Sequence, residues 1–146
     1  IQQKKVDFVV LDADIFCGRM DLHAEDGYWK RMELIEQLSM NIMQSGRPVL
    51  WTMAGNLDLL NKVYCRRFFS EVKCLALTCE EELLRKRMRE GRGITDDGWI
   101  QSSVDYNAYF RTHDHLDDME FETFDISGKA APEVADYVTK WVEKNC

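Results

Sequence analysis

The sequence has no apolar run long enough to cross a bilayer and nothing shaped like a secretory leader, which predicts a cytoplasmic chain with no membrane partner. It has no C-x-x-C pair either. Its five cysteines, Cys17, Cys65, Cys74, Cys79 and Cys146, are odd in number, which does not suit a disulfide framework. Cys74 and Cys79 sit in an apolar stretch, where a thiol acts as a small hydrophobe, so a reducing compartment is the simplest reading. Positive charge is not in excess: 19 Lys and Arg stand against 26 Asp and Glu, a formal net charge of -7. A nucleic-acid backbone needs a net basic face, so nucleic acid is excluded as the main partner, while a small anion needs only a local Arg or Lys cluster. No repeat, low-complexity tract or linker divides the chain, and 1–146 is read as a single domain. With 45% hydrophobic residues in 146, such a domain holds a core without metal or disulfide. The first residue is Ile1 rather than methionine, so a fragment or a processed chain is expected. Nothing in the composition sets an oligomeric state.

Strand and helix signals alternate along what is present. Val6 to Leu11 is a β-branched apolar run ending at Asp12, and residues 48–53 and 72–78 are two more such runs. A fourth covers 121–126. Between them, Met32, Ile35, Leu38 and Ile42 recur at helical spacing from Tyr28 to Gln44, with Ser45-Gly46 as a stop signal. Residues 57–69 read as a short helix, Glu80 to Glu90 as a helix with acids first and bases later, and 99–111 as another. Residues 113–118 read as a polar connection. Pro132 opens a final helix with Val134, Tyr137, Val138 and Trp141 as its apolar stripe. Four strands with no polar face, alternating with helices, predict an α/β three-layer sandwich with a mainly parallel sheet. Ligands on such sheets bind beyond the C-terminal strand ends, here 12–18, 52–56, 78–82 and 125–129.

Two groups of residues have chemistry to offer. Asp12-Ala13-Asp14 places two carboxylates at a strand tip, where they can hold a magnesium ion through water, or one of them can orient an acceptor hydroxyl and take its proton. A plain turn or helix cap is the alternative use of the same residues. Arg85, Lys86, Arg87, Arg89 and Arg92 form a basic run ending at Gly91 and Gly93. A solvated face paired with Glu80, Glu81, Glu82 and Glu90 accounts for that run on spacing alone, and a mobile phosphate-binding flap is the functional reading. His23, His113 and His115 lack metal-site spacing with any cysteine, and the four tryptophans read as core or interface residues. G-x-S-x-G, H-E-x-x-H and EF-hand patterns are absent.

Taken in order, these motifs resemble the small-molecule P-loop kinases, the group that includes gluconate, shikimate and nucleoside kinases. Phe8 to Asp14 is similar to their second strand and acidic motif, and Leu75 to Cys79 followed by Glu82 to Met88 and Arg89 resembles their fourth strand and the helix leading to the lid. Phe124 to Gly128 and Pro132-Glu133-Val134 resemble their last strand and C-terminal helix. The resemblance implies ATP and Mg2+ as cofactors and a small hydroxylated metabolite or nucleoside as acceptor. It implies that Asp12 and Asp14 are the catalytic carboxylates, with Asp12 at the metal shell and Asp14 also touching the acceptor beside Thr52 and Gly55. Arg87 and Arg92 would be lid arginines, in a lid covering about 88–112, and Ser127 and Gly128 would lie near the base.

The chain departs from that family in one respect. No G-x-x-x-x-G-K-[ST] phosphate loop exists in it: Gly18 and Gly27 precede no suitable lysine, Gly46 leads into Arg47-Pro48, and Gly91 and Gly93 fall in the lid. The expectation is a kinase domain lacking its first strand and phosphate loop, inactive on ATP by itself. Two other readings fit some of the residues. One is a haloacid-dehalogenase-type phosphatase, with Asp12 as nucleophile, Asp14 as acid/base and Thr52 ending the second motif. The other is a non-catalytic binding module that kept the scaffold and lost the loop.

Overall fold

A computed structural model describes residues 7–146, so Val6, the first residue of the expected opening strand, lies outside it. The chain forms two compact units. The first takes in the chain up to Val72 together with Asp117–Met119 and Thr139–Cys146, and the second holds Lys73–Leu116 and Glu120–Val138.

In the first unit, β1 (Val9–Asp12) leads through a 3-10 turn at Ala13–Phe16 and a loop to α1 (Gly27–Met43), which returns the chain to β2 (Val49–Thr52). The two strands pair in parallel, Val9 opposite Val49 through Asp12 opposite Thr52. Parallel neighbours need a crossover of this kind, because a hairpin turn cannot reverse the chain twice. Gly27 starts α1 where the backbone passes closest to the preceding loop. A Cβ there would overlap the carbonyl of Asp21 and meet the backbone of Leu22 at 2.7 Å. At the other end Gly46 adopts φ 78°, the left-handed conformation a helix stop asks for.

The buried face of α1 differs from the stripe expected. Met32 and Ile35 are buried, but Leu38 is exposed, and the face is completed by Arg31, Glu36 and Ser39. The Ser39 hydroxyl donates to the Ile35 carbonyl at 2.7 Å and accepts the Trp51 indole N–H at 2.7 Å, which ties α1 to β2. Residues 57–69 are not one helix. They form 3-10 turns at Leu57–Leu59 and Tyr64–Phe68, held by bonds between residues three apart and separated by Val63 in an extended conformation.

In the second unit, β3 (Leu75–Thr78) is followed by α2 (Glu81–Lys86), whose last residues run into a π-helical turn at Arg87–Gly91. Next come α3 (Asp97–Thr112), the two-residue pieces β4 (His115–Leu116) and β5 (Met119–Glu120), then β6 (Glu122–Asp125) and α4 (Ala131–Asn145), of which Met119 and Thr139–Asn145 fall in the first unit. The segment read as a polar connection thus holds β4, with Asp117 in a left-handed conformation after it. β3 and β6 pair in parallel, Leu75 opposite Glu122 through Thr78 opposite Asp125. The core of this unit gathers Met88, Ile100, Val104, Phe110 and Phe121. Phe110 meets Tyr106 and Phe121 edge-on, with ring centres 4.5 and 4.7 Å apart, the geometry that the ring quadrupole favours.

Helices alternating with parallel strand pairs make this an α/β chain. The strands are not buried on both faces as their composition suggested: Val10 is 57% and Leu77 46% exposed. Among the described residues no helix is long and apolar enough to cross a membrane.

Candidate functional site

The first unit builds its polar rim where β1 and β2 end. Asp12 caps the 3-10 turn, its Oδ1 accepting the Asp14 N–H at 2.9 Å. Ala13 between them is fully buried, so the two acids flank an anchored residue and both stand exposed. The expected turn and the expected acid pair are therefore one structure. Parallel register sets Thr52 directly across from Asp12. Asp14 Oδ1 also accepts from the Cys17 thiol at 3.6 Å. Burial, then the negative charge of Asp14, raise the pKa of that thiol, while Arg31 pulls it the other way.

Beyond Thr52 the chain turns through Gly55 (φ 81°) and Asn56 (φ 65°), two successive left-handed residues. Only glycine adopts such a φ freely, and asparagine is among the few others that tolerate it. The turn aims the Asn56 side chain at α1, where its Oδ1 accepts from Arg31 Nη2 at 2.7 Å. The same nitrogen approaches the Ala54 carbonyl at 3.4 Å, and the Tyr28 ring centre lies 5.3 Å from the guanidinium carbon. Thus Asp12, Asp14, Thr52 and Gly55 do share one end of one ladder. Arg31 and Asn56 join them, and neither was singled out from the sequence. A signal existed for Arg31: it stands four residues before Ile35, a charged residue in line with a core position of α1.

The second unit has its own rim at the ends of β3 and β6. Asn107 of α3 bonds both sides of Cys79, accepting its N–H at 3.0 Å and donating to its carbonyl at 2.8 Å. Ser127 is committed structurally, its hydroxyl accepting the Glu80 N–H at 2.9 Å and its own N–H bonded to Asp125 Oδ1 at 2.8 Å. Hydrogen bonding from Ser127 to Asp125, side chain first and then backbone N–H, holds the Asp125 pKa below its usual value. Gly128 (φ 69°) faces open space.

The basic run separates into two kinds of residue. Arg85 pairs with Glu81 at 2.8 Å, Lys86 reaches Glu90 at 3.9 Å, and Arg89 pairs with Asp97 at 2.8 Å. Arg85 and Lys86 thus pair with acids that the solvated-face reading named, while the partner of Arg89 lies outside that set. Arg87 and Arg92 are exposed and have no ion-pair partner among the described residues. Arg92 lines an open cavity of about 420 Å³ with Gly93, Ile94, Thr95, Asp96 and Trp99. Trp99, expected in a core or interface, is 58% exposed there.

For magnesium, one carboxylate at a strand tip is the kind of protein ligand the ion accepts, since it keeps most of its waters and binds phosphate oxygens. Asp12 fits that role because its turn bond uses Oδ1 alone. Among the described residues no three His, Cys, Asp or Glu side chains converge into a protein cage. His113, the C-cap of α3, stacks on Tyr109, and His115, in β4, bonds to Asp114. Comparison with protein-family models, with curated proteins and with solved structures finds no match to this chain.

Proposed function

We propose that this chain carries the acceptor-side and nucleotide-side residues of an ATP-dependent phosphotransferase acting on a small hydroxylated metabolite or nucleoside, on a three-layer sandwich of the P-loop kinase type. The observation that supports it best is the β1–β2 register, which sets Asp12 opposite Thr52 with Asp14 two residues on and Gly55 three residues beyond Thr52. In-line phosphoryl transfer asks for positioning and charge neutralisation more than covalent chemistry. On this reading Asp14 and Thr52 orient the acceptor hydroxyl, and one of Asp12 and Asp14 takes its proton. Asp12 supports hydrated Mg2+, which would neutralise phosphate charge. Arg87 and Arg92, left without acids of their own, supply positive charge to the nucleotide phosphates. Gly128 offers open backbone near the base, with Ser127 fixing its turn. The grip on the β- and γ-phosphates has to come from a segment outside these 146 residues, because none here has the glycine-lysine pattern for it.

The test is transfer of the γ-phosphoryl group from Mg-ATP to a panel of hydroxylated acceptors by the full-length gene product. Asp12→Asn is expected to lower kcat by about 10²-fold or more while ATP still binds. Unchanged turnover would remove Asp12 from the mechanism. The same acids also suit a phosphatase, and a beryllofluoride adduct on Asp12 would install that reading instead. A protein that binds small molecules but transfers no phosphoryl group would be the non-catalytic module.

A further inference from the structure

We propose that Arg31 is an anion anchor in the acceptor site, so that the acceptor carries a carboxylate or phosphate group as well as its hydroxyl. The acceptor part of this statement rests on the phosphotransferase reading, whereas the anion site stands on the side chains alone.

Arginine stays protonated in a protein, so it cannot escape burial by losing its charge. Removing such a cation from water costs several kcal/mol unless an anion and good hydrogen bonds compensate. Arg31 is 5% exposed. Its bonds among the described residues leave from Nη2 alone, to the Asn56 amide oxygen and the Ala54 carbonyl, both neutral. Nε is buried with no hydrogen-bond partner. No described carboxylate lies in ion-pair contact with it. The guanidinium is thus held by two neutral oxygens and the face of the Tyr28 ring, with no described carboxylate in ion-pair contact and its Nε donor unused.

Its position selects the ligand. The group that fixes Arg31 is the turn after β2, which continues from Thr52, opposite Asp12. Arg31 also acts electrostatically on Cys17, as Asp12 and Asp14 do. Arg31 therefore shares its surroundings with the acids assigned to the acceptor hydroxyl. A neutral polyol would satisfy the carboxylates and leave this arginine as it is. A ligand with an anionic group can also meet the planar fork, which binds carboxylate and phosphate oxygens in pairs.

Three ligands of one carbon skeleton separate the possibilities: glycerol, glycerate and glycerol 3-phosphate, with inorganic phosphate as a fourth probe, each titrated into the full-length protein by calorimetry. The anions are expected to bind more tightly than glycerol, and Arg31→Gln to weaken them by roughly 10- to 100-fold, the range of one charged hydrogen-bonded contact. Binding confined to glycerate, or to the two phosphates, identifies which anion is taken. Arg31→Lys keeps the charge but loses the fork, so it should fall between, and it serves if the glutamine variant does not fold. Anion binding that ignores both substitutions, or no preference over glycerol, overturns the proposal. Phosphoryl transfer to neutral acceptors with a KM unmoved by Arg31→Lys also overturns it, and leaves the kinase reading intact. Arg31-dependent anion binding without any transfer does the reverse: the anchor stands and the kinase reading falls. Loss of both ends both.

Discussion

Glu36 sits within the buried face of α1 with both carboxylate oxygens shielded from water and without a hydrogen bond, at 3% exposure. Burial pushes its pKa up to about 7, opposed by the charge of Arg66. The folded first unit therefore favours the protonated form more than the unfolded chain does. The stability this gives is present in full below the unfolded value near 4.5 and is lost as pH rises through about 7. Above that, ionised Glu36 costs about 3 kcal/mol at the ~1.4 kcal/mol that each unit of pKa shift represents. Glu36→Gln should accordingly raise the melting temperature at pH 8 and leave it nearly unchanged at pH 4. A difference that does not vary with pH would mean that the carboxyl is solvated. Glu36 was missed in the sequence, and the alignment of Arg31 with Ile35 went unread, because periodicity was followed through apolar side chains. The core face of α1 carries as much Arg, Glu and Ser as Met and Ile, while Leu34 and Leu38 look outward. Asp12 and Asp14 were legible for the opposite reason: an apolar run ends abruptly on them.

The elements that were legible are those with one dominant constraint. Strand β2 follows Pro48 and ends at a glycine turn, and α3 begins where Asp96 accepts the Trp99 N–H at 2.7 Å. Residues 57–69 failed as a helix because their apolar spacing has no cap to support it, and side chains take over: Arg66 bonds Asn61 and the Phe69 carbonyl, closing a local turn. Nor did the sequence announce that Asn107 would serve β3. Its amide extends the strand by bonding Cys79 on both sides, so Asn107→Ala should cost about 1–3 kcal/mol in denaturant unfolding. Asn107→Asp, which keeps the acceptor but loses the donor, should recover part of that. A cost below about 0.5 kcal/mol for the alanine variant would remove the clamp from the account. The π-helical turn at Arg87–Gly91 follows α2 directly, and such turns often mark functional segments. In the phosphotransferase reading, Arg87→Ala raises the KM for ATP about tenfold or more and leaves acceptor affinity alone. Steady-state kinetics showing the reverse pattern would detach this segment from the nucleotide.

At the scale of the molecule, the alternation of strand and helix and the parallel pairing were readable, because apolar β-branched runs separated by helical stretches have few other ways to fold. The division into two compact units was not, since no change of composition marks Val72. α4 belongs to both, Ala131–Val138 to the second and Thr139–Asn145 to the first, and its sequence carries no sign of that. The exposure of Val10 and Leu77 was hidden as well, because composition shows what a strand can bury and not what covers it. Each described parallel ladder has only two strands, so each ends in main-chain amides and carbonyls with no neighbouring strand. Such a border is a template: a foreign strand can dock on it and recruit the next, with outward valine or leucine adding apolar contact. The isolated chain should therefore self-associate as its concentration rises, seen as growing light scattering, and Val10→Lys should suppress that growth. Scattering that stays flat with concentration would mean that these borders are guarded by the protein itself.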